Sequence, residues 1–266
     1  MIASNTFFAL EMMIGFGLLF PLLVAYVWIK TQKEKVSTVL TGAATWFLFA
    51  VILEAIPKFF LFNSATSIGS KVMSSPVLYV VFGILLAGIF EETGRFIAFR
   101  TVLKNRKNRE TGVSHGIGHG GMEAAWMMII SGIQYMVYAT MINNGTFDSF
   151  ISQNAAAGID TSALEAMPAA IAQITPVVVL ISMFERIYAM LMHVSLSILV
   201  FNAVKRKRTD LYFLAIALHA ILDLAAALYQ VGAIGLVATE VIGCTLSAAC
   251  FIVIYIKFYK TDVSEA

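Results

Sequence analysis

The sequence predicts an all-α membrane protein, a bundle of about seven transmembrane helices. Hydrophobic residues make up 59% of the 266 residues and charged residues 13%, about half the charged share of a typical soluble domain. The mean hydropathy is +0.84. The apolar residues also lie in runs long enough to cross a hydrocarbon core about 30 Å thick. We therefore expect a single integral membrane domain over residues 1–266, located in the cell membrane.

The membrane spans follow from the apolar runs and the charged loops between them. We predict spans at about 7–30, 38–62, 76–103, 113–142, 170–204, 211–230 and 232–260. The first run does not resemble a cleaved signal peptide, because no basic residue precedes it and Glu11 lies near its start. The fourth and fifth runs exceed the length of a span, so we expect tilt, a kink or a projecting turn there.

The lysines and arginines predict the orientation of the bundle. Thirteen lie in alternate loops or near the C-terminus, whereas the opposite loops hold only Lys58 and Lys71. By the positive-inside rule, the N-terminus is expected outside and the C-terminus in the cytoplasm. The thirteen are Lys30, Lys33, Lys35, Lys104, Arg106, Lys107, Arg109, Lys205, Arg206, Lys207, Arg208, Lys257 and Lys260.

Ionisable side chains recur inside four of the apolar runs. A charged side chain at the centre of a membrane helix costs about 2.5–3.5 kcal/mol even on the most lenient scale, so a shared functional reason is expected. With a rise of about 1.5 Å per residue, most of them fall at a similar depth in the cytoplasmic half. They are Glu91, Glu92 and Arg95 in the third run, His115, His119 and Glu123 in the fourth, His193 in the fifth, and His219 and Asp223 in the sixth.

Such a set of residues supports two kinds of hydrolytic chemistry. A carboxylate beside a histidine can activate water as a general base. The same residue types also bind zinc, whose usual catalytic site has three protein ligands and one water. His119, Glu123, His193 and His219 are the candidate ligands. The sequence does not contain the HExxH pattern of common metalloproteases.

The glycine-rich stretch GIGHGG at residues 116–121 matches the GxGxxG pattern of dinucleotide-binding folds. No strand precedes it and a membrane span follows, so the context of such a fold is missing. We interpret these glycines as permitting close helix approach, or a local break, beside His119.

Four short motifs, in this order, resemble the YhfC family of intramembrane peptidases. They are EETGR at 91–95, HGIGHGGMEA at 115–124, the pair at 185–186 followed by His193, and HAILD at 219–223. This family is related to the glutamic intramembrane proteases that include the CAAX-prenyl endopeptidase and the PrsW type. The resemblance extends from about residue 50 to 230 and places the catalytic helices at about 76–230.

The resemblance implies an endopeptidase that hydrolyses membrane-embedded or lipid-anchored peptides with a water activated by glutamate and histidine. Glu91 would be the general base, supported by Glu92, and His193 would share or orient the water. His219 and Asp223 would bind the oxyanion of the tetrahedral intermediate. No cofactor is expected for this mechanism, and a zinc enzyme that uses His119, His193 and His219 is the alternative.

The motifs depart from the CAAX-type pattern in two places. Arg95 follows the paired glutamates after two residues rather than three, as in the YhfC and PrsW-like branches, and we expect it to orient Glu91. His119 and Glu123 have no counterpart in the CAAX-type set, so they are additional catalytic groups or metal ligands.

Two interpretations from other functional classes stay open. A proton-coupled transporter or membrane sensor would use Glu, Asp and His as a proton relay and yield no peptide product. A structural or immunity-type binding protein would tolerate replacement of the polar residues. The expected partners are the lipid bilayer and a peptide or protein substrate, with no nucleic acid.

Overall fold

The structure is a computed structural model that describes residues 1–261. Over that range the chain forms helices and no strand, and seven of the helices are long and apolar enough to cross a membrane. The predicted fold class is therefore confirmed. The membrane helices, numbered first to seventh, are Ser4–Gln32, Val36–Leu61, Pro76–Arg100, Glu110–Asn143, Pro176–Lys205, Thr209–Gln230 and Leu236–Tyr259.

The observed helix ends lie within a few residues of the predicted ones, with one larger difference. The fifth membrane helix begins at Pro176 rather than near residue 170. Proline favours the first turn of a helix, because its missing N–H would have no partner there in any case. The apolar residues before it belong to a separate short helix, Ser162–Ala172.

Three membrane helices contain a π-helical segment. These segments are Phe47–Leu53 in the second helix, Trp126–Ile130 in the fourth and Tyr255–Tyr259 in the seventh. The stretch at residues 116–121, by contrast, is ordinary α-helix within Glu110–Ala125. The prediction of a local break at these glycines is therefore wrong. The irregular segment of this helix is the π-helical stretch Trp126–Ile130, about one turn further along.

The chain divides into two compact units. The smaller unit comprises Met1–Pro21 and Ala124–Arg186, and the larger comprises Leu22–Glu123 with the described residues from Ile187 onward. In the smaller unit, the Asn143 side chain accepts a hydrogen bond from the backbone N–H of Ile2 at 2.7 Å. The larger unit contains the main hydrophobic core and every site residue predicted above.

The fifth membrane helix supplies much of the core of the larger unit. Leu196, Leu199 and Val200 are fully buried there, and Phe201 is nearly so. Of the most apolar 18-residue stretch in this helix, 72% is buried, against 39% or less for the corresponding stretches of the other membrane helices between residues 1 and 261. The C-terminal part of this helix is therefore enclosed by protein, whereas Val177, Leu180 and Phe184 near its start are exposed.

Glycines bring the fourth membrane helix close to the fifth. Gly112, Gly116 and Gly120 are four residues apart and therefore share one face of the helix. A Cβ on Gly116 would lie 2.5 Å from the Cα of Val194, and one on Gly120 would lie 3.1 Å from the Cβ of His193. The predicted close helix approach is confirmed, because no larger residue fits without moving the two helices apart.

Candidate active site

The polar residues predicted from the sequence come together inside the larger unit. They lie on the third, fourth, fifth and sixth membrane helices. Most are buried, whereas the side chains of Glu123 and Asp223 are 14% and 32% exposed. The set comprises Glu91, Glu92, Arg95, His115, His119, Glu123, His193, His219 and Asp223.

Glu91 lies at the centre of this group. Its Oε2 is 2.8 Å from Nε2 of His119 and 3.9 Å from Nδ1 of His193. The same oxygen is 4.0 Å from Nε2 of His219 and 3.7 Å from Nη2 of Arg95. One carboxylate oxygen therefore faces three imidazole rings and a guanidinium.

Arg95 is fully buried and is held by three side chains. Its Nη1 pairs with Oε1 of Glu92, and its Nη2 lies 2.7 Å from Nδ1 of His193. Its Nε donates to Oγ of Ser197 at 3.2 Å. The sequence led us to expect Arg95 to orient Glu91, but the closer partners of its guanidinium are Glu92, His193 and Ser197.

The hydrogen bonds of His193 fix its tautomer. A guanidinium N–H can only donate, so Nδ1 of His193 accepts from Arg95 and the neutral ring carries its proton on Nε2. That Nε2 lies 2.6 Å from Oε2 of Glu123. Glu123 therefore lies against the protonated nitrogen of His193, an arrangement that the sequence did not predict.

His219 lies between two carboxylates. Its Nδ1 is 2.6 Å from Oε1 of Glu92, and its Nε2 is 3.3 Å from Oδ2 of Asp223. Carboxylates accept hydrogen bonds, so both contacts favour a proton on the ring nitrogen that faces them. The geometry presents His219 as a hydrogen-bond donor, and its ring centre is 5.8 Å from that of His193.

Two further residues, Ser197 and His115, extend the hydrogen-bond network of Arg95. Ser197, which the sequence reasoning missed, is fully buried, and its Oγ is 3.2 Å from Nδ1 of His115 as well as from Nε of Arg95. Ser197 follows His193 by four residues, so it lies on the same helix face. That spacing is the signal by which it could have been found.

Three of these residues form a group suited to a metal ion. One donor atom from each of Glu91, His119 and His193 lies within 4.8 Å of the others. Histidine and glutamate ligands in this number are usual for catalytic zinc. Of the ligands predicted from the sequence, His119 and His193 belong to this group, while Glu123 and His219 lie beside it and contact His193 and Glu91.

The charges of the site also suit a cation. Four carboxylates lie here beside the guanidinium of Arg95 and the ring of His219, which is positively charged when both of its nitrogens carry protons, so negative groups outnumber positive ones. An uncompensated buried charge is strongly destabilising, so an additional positive charge would lower the free energy of this arrangement. On donor chemistry and on charge, the residues fit a divalent metal.

Fold and site together define a multi-pass membrane protein with a buried cluster of glutamates and histidines. A family model described as YhfC intramembrane metalloprotease matches residues 16–243. The chain therefore belongs to the YhfC family. It is similar to the uncharacterized membrane protein YhfC of Bacillus subtilis (strain 168), with 33% identity over 209 residues that cover 78% of this chain and 79% of that protein. No solved structure matches the chain.

These comparisons confirm the resemblance to the YhfC family and support an intramembrane peptidase. The relation to CAAX-type and PrsW-type glutamic proteases stays a prediction. The family description names metalloproteases, and the glutamic and zinc mechanisms both stay predictions.

Proposed function

We propose that the protein is a metal-dependent intramembrane endopeptidase whose metal is held by Glu91, His119 and His193. The observation that carries this proposal is the buried group of three donor atoms within 4.8 Å on membrane-spanning helices. A divalent metal there would polarise the scissile carbonyl and make a bound water a strong nucleophile at neutral pH. The family description agrees with this function.

The surrounding side chains have separate parts in this proposal. Glu123 holds His193 by its Nε2, as carboxylates commonly hold metal-binding histidines. Glu92 and Asp223 hold His219 in a fixed orientation. The longer contact, at 3.3 Å between Nε2 and Asp223, is the one that His219 gives up, so that Nε2 donates to the oxyanion that forms as water attacks the peptide carbonyl. Burial keeps bulk water out, which strengthens these electrostatic interactions.

The substrate in this proposal is a membrane-embedded or lipid-anchored peptide. The groups that perform the chemistry all lie on helices able to cross a membrane. A peptide bond reaches them most directly when its flanking residues are already within the bilayer. Lipid is therefore the medium through which the substrate approaches.

Cleavage profiling tests the peptidase activity. Purified wild type, Glu91→Gln and the control Glu11→Gln are incubated with a diverse library of soluble and membrane peptides, and the products are identified by mass spectrometry. Glu11 is exposed on the first membrane helix, so the control makes the same substitution away from the site. Wild type and Glu11→Gln should cut the same bonds, and Glu91→Gln should cut them at least about 100-fold more slowly.

Two results would count against this function. Cleavage by Glu91→Gln at the wild-type rate would show that Glu91 takes no part in the reaction, provided that the two proteins have the same elution volume and the same unfolding temperature. If wild type gives no products but shows pH-driven flux across vesicles, the proton-coupled transporter becomes the better account.

A metal-free glutamic mechanism is the second candidate, and two contacts favour it. Arg95 donates to Nδ1 of His193 at 2.7 Å, while Glu91 and His119 form a 2.8 Å pair that could activate water without a metal. This mechanism predicts cleavage at an undiminished rate after all metal has been removed.

A further inference from the structure

We infer that Arg95 competes with the metal for His193, so that its guanidinium must release this histidine before a metal binds. The inference rests on the proposed metal site and adds a residue that controls its occupancy. Nη2 of Arg95 lies 2.7 Å from Nδ1 of His193 and 3.7 Å from Oε2 of Glu91. One guanidinium nitrogen thus lies beside two of the three residues that would hold the metal.

The hydrogen-bonding capacity of histidine makes the two occupants mutually exclusive. A neutral imidazole has one nitrogen with a lone pair and one with a proton. If the metal takes Nδ1, it takes the lone pair that now accepts from Arg95. If it takes Nε2, the proton moves to Nδ1 and faces the N–H of Arg95. The hydrogen bond between Arg95 and His193 is lost in both cases.

The positions of Glu91 and Glu123 indicate that Nδ1 of His193 is the metal-binding nitrogen. Oε2 of Glu123 lies 2.6 Å from Nε2 of His193, whereas Nδ1 is the nitrogen within 3.9 Å of Oε2 of Glu91. A histidine ligand usually donates its second nitrogen to such a carboxylate. His193 is therefore already in the tautomer that a metal on Nδ1 requires, and the occupant of that lone pair is Arg95.

The other contacts of the Arg95 guanidinium explain how Nη2 can move away from His193. Nε is held by Ser197 and Nη1 by Glu92, independently of His193. Nη2 can move away while the positive charge stays paired with Glu92 in the buried interior. Without metal, the guanidinium offsets the negative charge of the site. When a metal is bound, the guanidinium moves away from it, because both groups are positively charged.

Zinc affinity tests this competition without reference to cleavage. Zn²⁺ binding to the full-length protein in detergent is measured by competition with a chromophoric chelator. Arg95→Leu removes the donor, and the double variant Glu92→Gln/Arg95→Leu removes it at unchanged net charge. Arg100→Leu is the control, because Arg100 is exposed on the same helix and its substitution removes the same charge.

Both variants that lack Arg95 should bind zinc at least tenfold more tightly than wild type, a difference of about 1.4 kcal/mol. Arg100→Leu should bind like wild type. The double variant also guards against misfolding, because it leaves no unpaired charge at Glu92.

The zinc measurements distinguish failure of the competition from failure of the metal site. If wild type binds zinc and neither Arg95 variant gains affinity, the competition is overturned while the metal site stands. If neither wild type nor any variant binds zinc, the metal-dependent function itself fails. A gain in Arg95→Leu that vanishes in the double variant would show a pure charge effect and would also overturn the competition.

Discussion

Glu123 lies beside the proposed metal site, with its Oε2 2.6 Å from Nε2 of His193. A carboxylate in this position fixes both the tautomer and the ring orientation of the histidine. Glu123→Gln keeps the shape of the side chain but removes the charge that holds the proton on Nε2. We expect zinc affinity to fall by about tenfold or more.

Chelator competition on the purified variant measures this loss, with Glu11→Gln as the matched control. The control should retain wild-type affinity. An unchanged zinc affinity in Glu123→Gln would show that His193 needs no carboxylate to orient it, or that His193 is not a ligand.

Individual site residues were predictable to the extent that spacing along one helix determines position. Four-residue spacings placed Glu91 with Arg95 and His219 with Asp223 on shared faces, and the structure brings both pairs to the site. The partners of Arg95 were not predictable. They depend on how side chains from two helices meet, and Ser197 carries no motif of its own.

At the scale of helices, glycine determines how closely the fourth and fifth membrane helices pack. A Cβ at Gly116 would lie 2.5 Å from the Cα of Val194, whereas a Cβ at Gly83 meets no atom within 4 Å. Gly116→Ala should therefore lower the free energy of unfolding by about 1–3 kcal/mol through overpacking. Gly83→Ala should leave stability unchanged or raise it by about 0.5–1 kcal/mol.

Thermal unfolding in detergent compares the two variants with wild type. Cleavage should also fall in Gly116→Ala, because the clash displaces the helix that carries His193. Equal unfolding temperatures for the two variants would contradict the close packing described here.

Hydropathy predicted the helices well because lipid requires each span to satisfy its own backbone hydrogen bonds. It did not predict the start of the fifth membrane helix, where the capping preference of Pro176 outweighs the apolar residues before it. The π-helical segments were also missed. The sequence of Trp126–Ile130, for example, is an apolar run without proline or glycine.

At the scale of the whole molecule, the distribution of charge predicts the orientation in the membrane. Thirteen lysines and arginines lie on one predicted side and two on the other, which predicts a cytoplasmic C-terminus. A green fluorescent protein fused to the C-terminus should fluoresce, and alkaline phosphatase fused there should be inactive. Active phosphatase with a dark fluorescent fusion would reverse the orientation.

The division into two compact units had no counterpart in the sequence reasoning. Residues 22–123 and the described residues from Ile187 onward carry the whole site. The first, fourth and fifth membrane helices each contribute residues to both units. A hydropathy profile treats each of these helices as one continuous span, so it contains no signal of the boundary.

Metal dependence of cleavage is the most direct test of the proposed centre. Zinc content and cleavage rate are measured on one wild-type preparation as a strong chelator is titrated in, and again after Zn²⁺ is restored. If Glu91, His119 and His193 hold a catalytic metal, both quantities fall together and both return. Full cleavage by protein shown to contain no metal would contradict the proposal and would assign the reaction to the glutamate and histidine side chains alone.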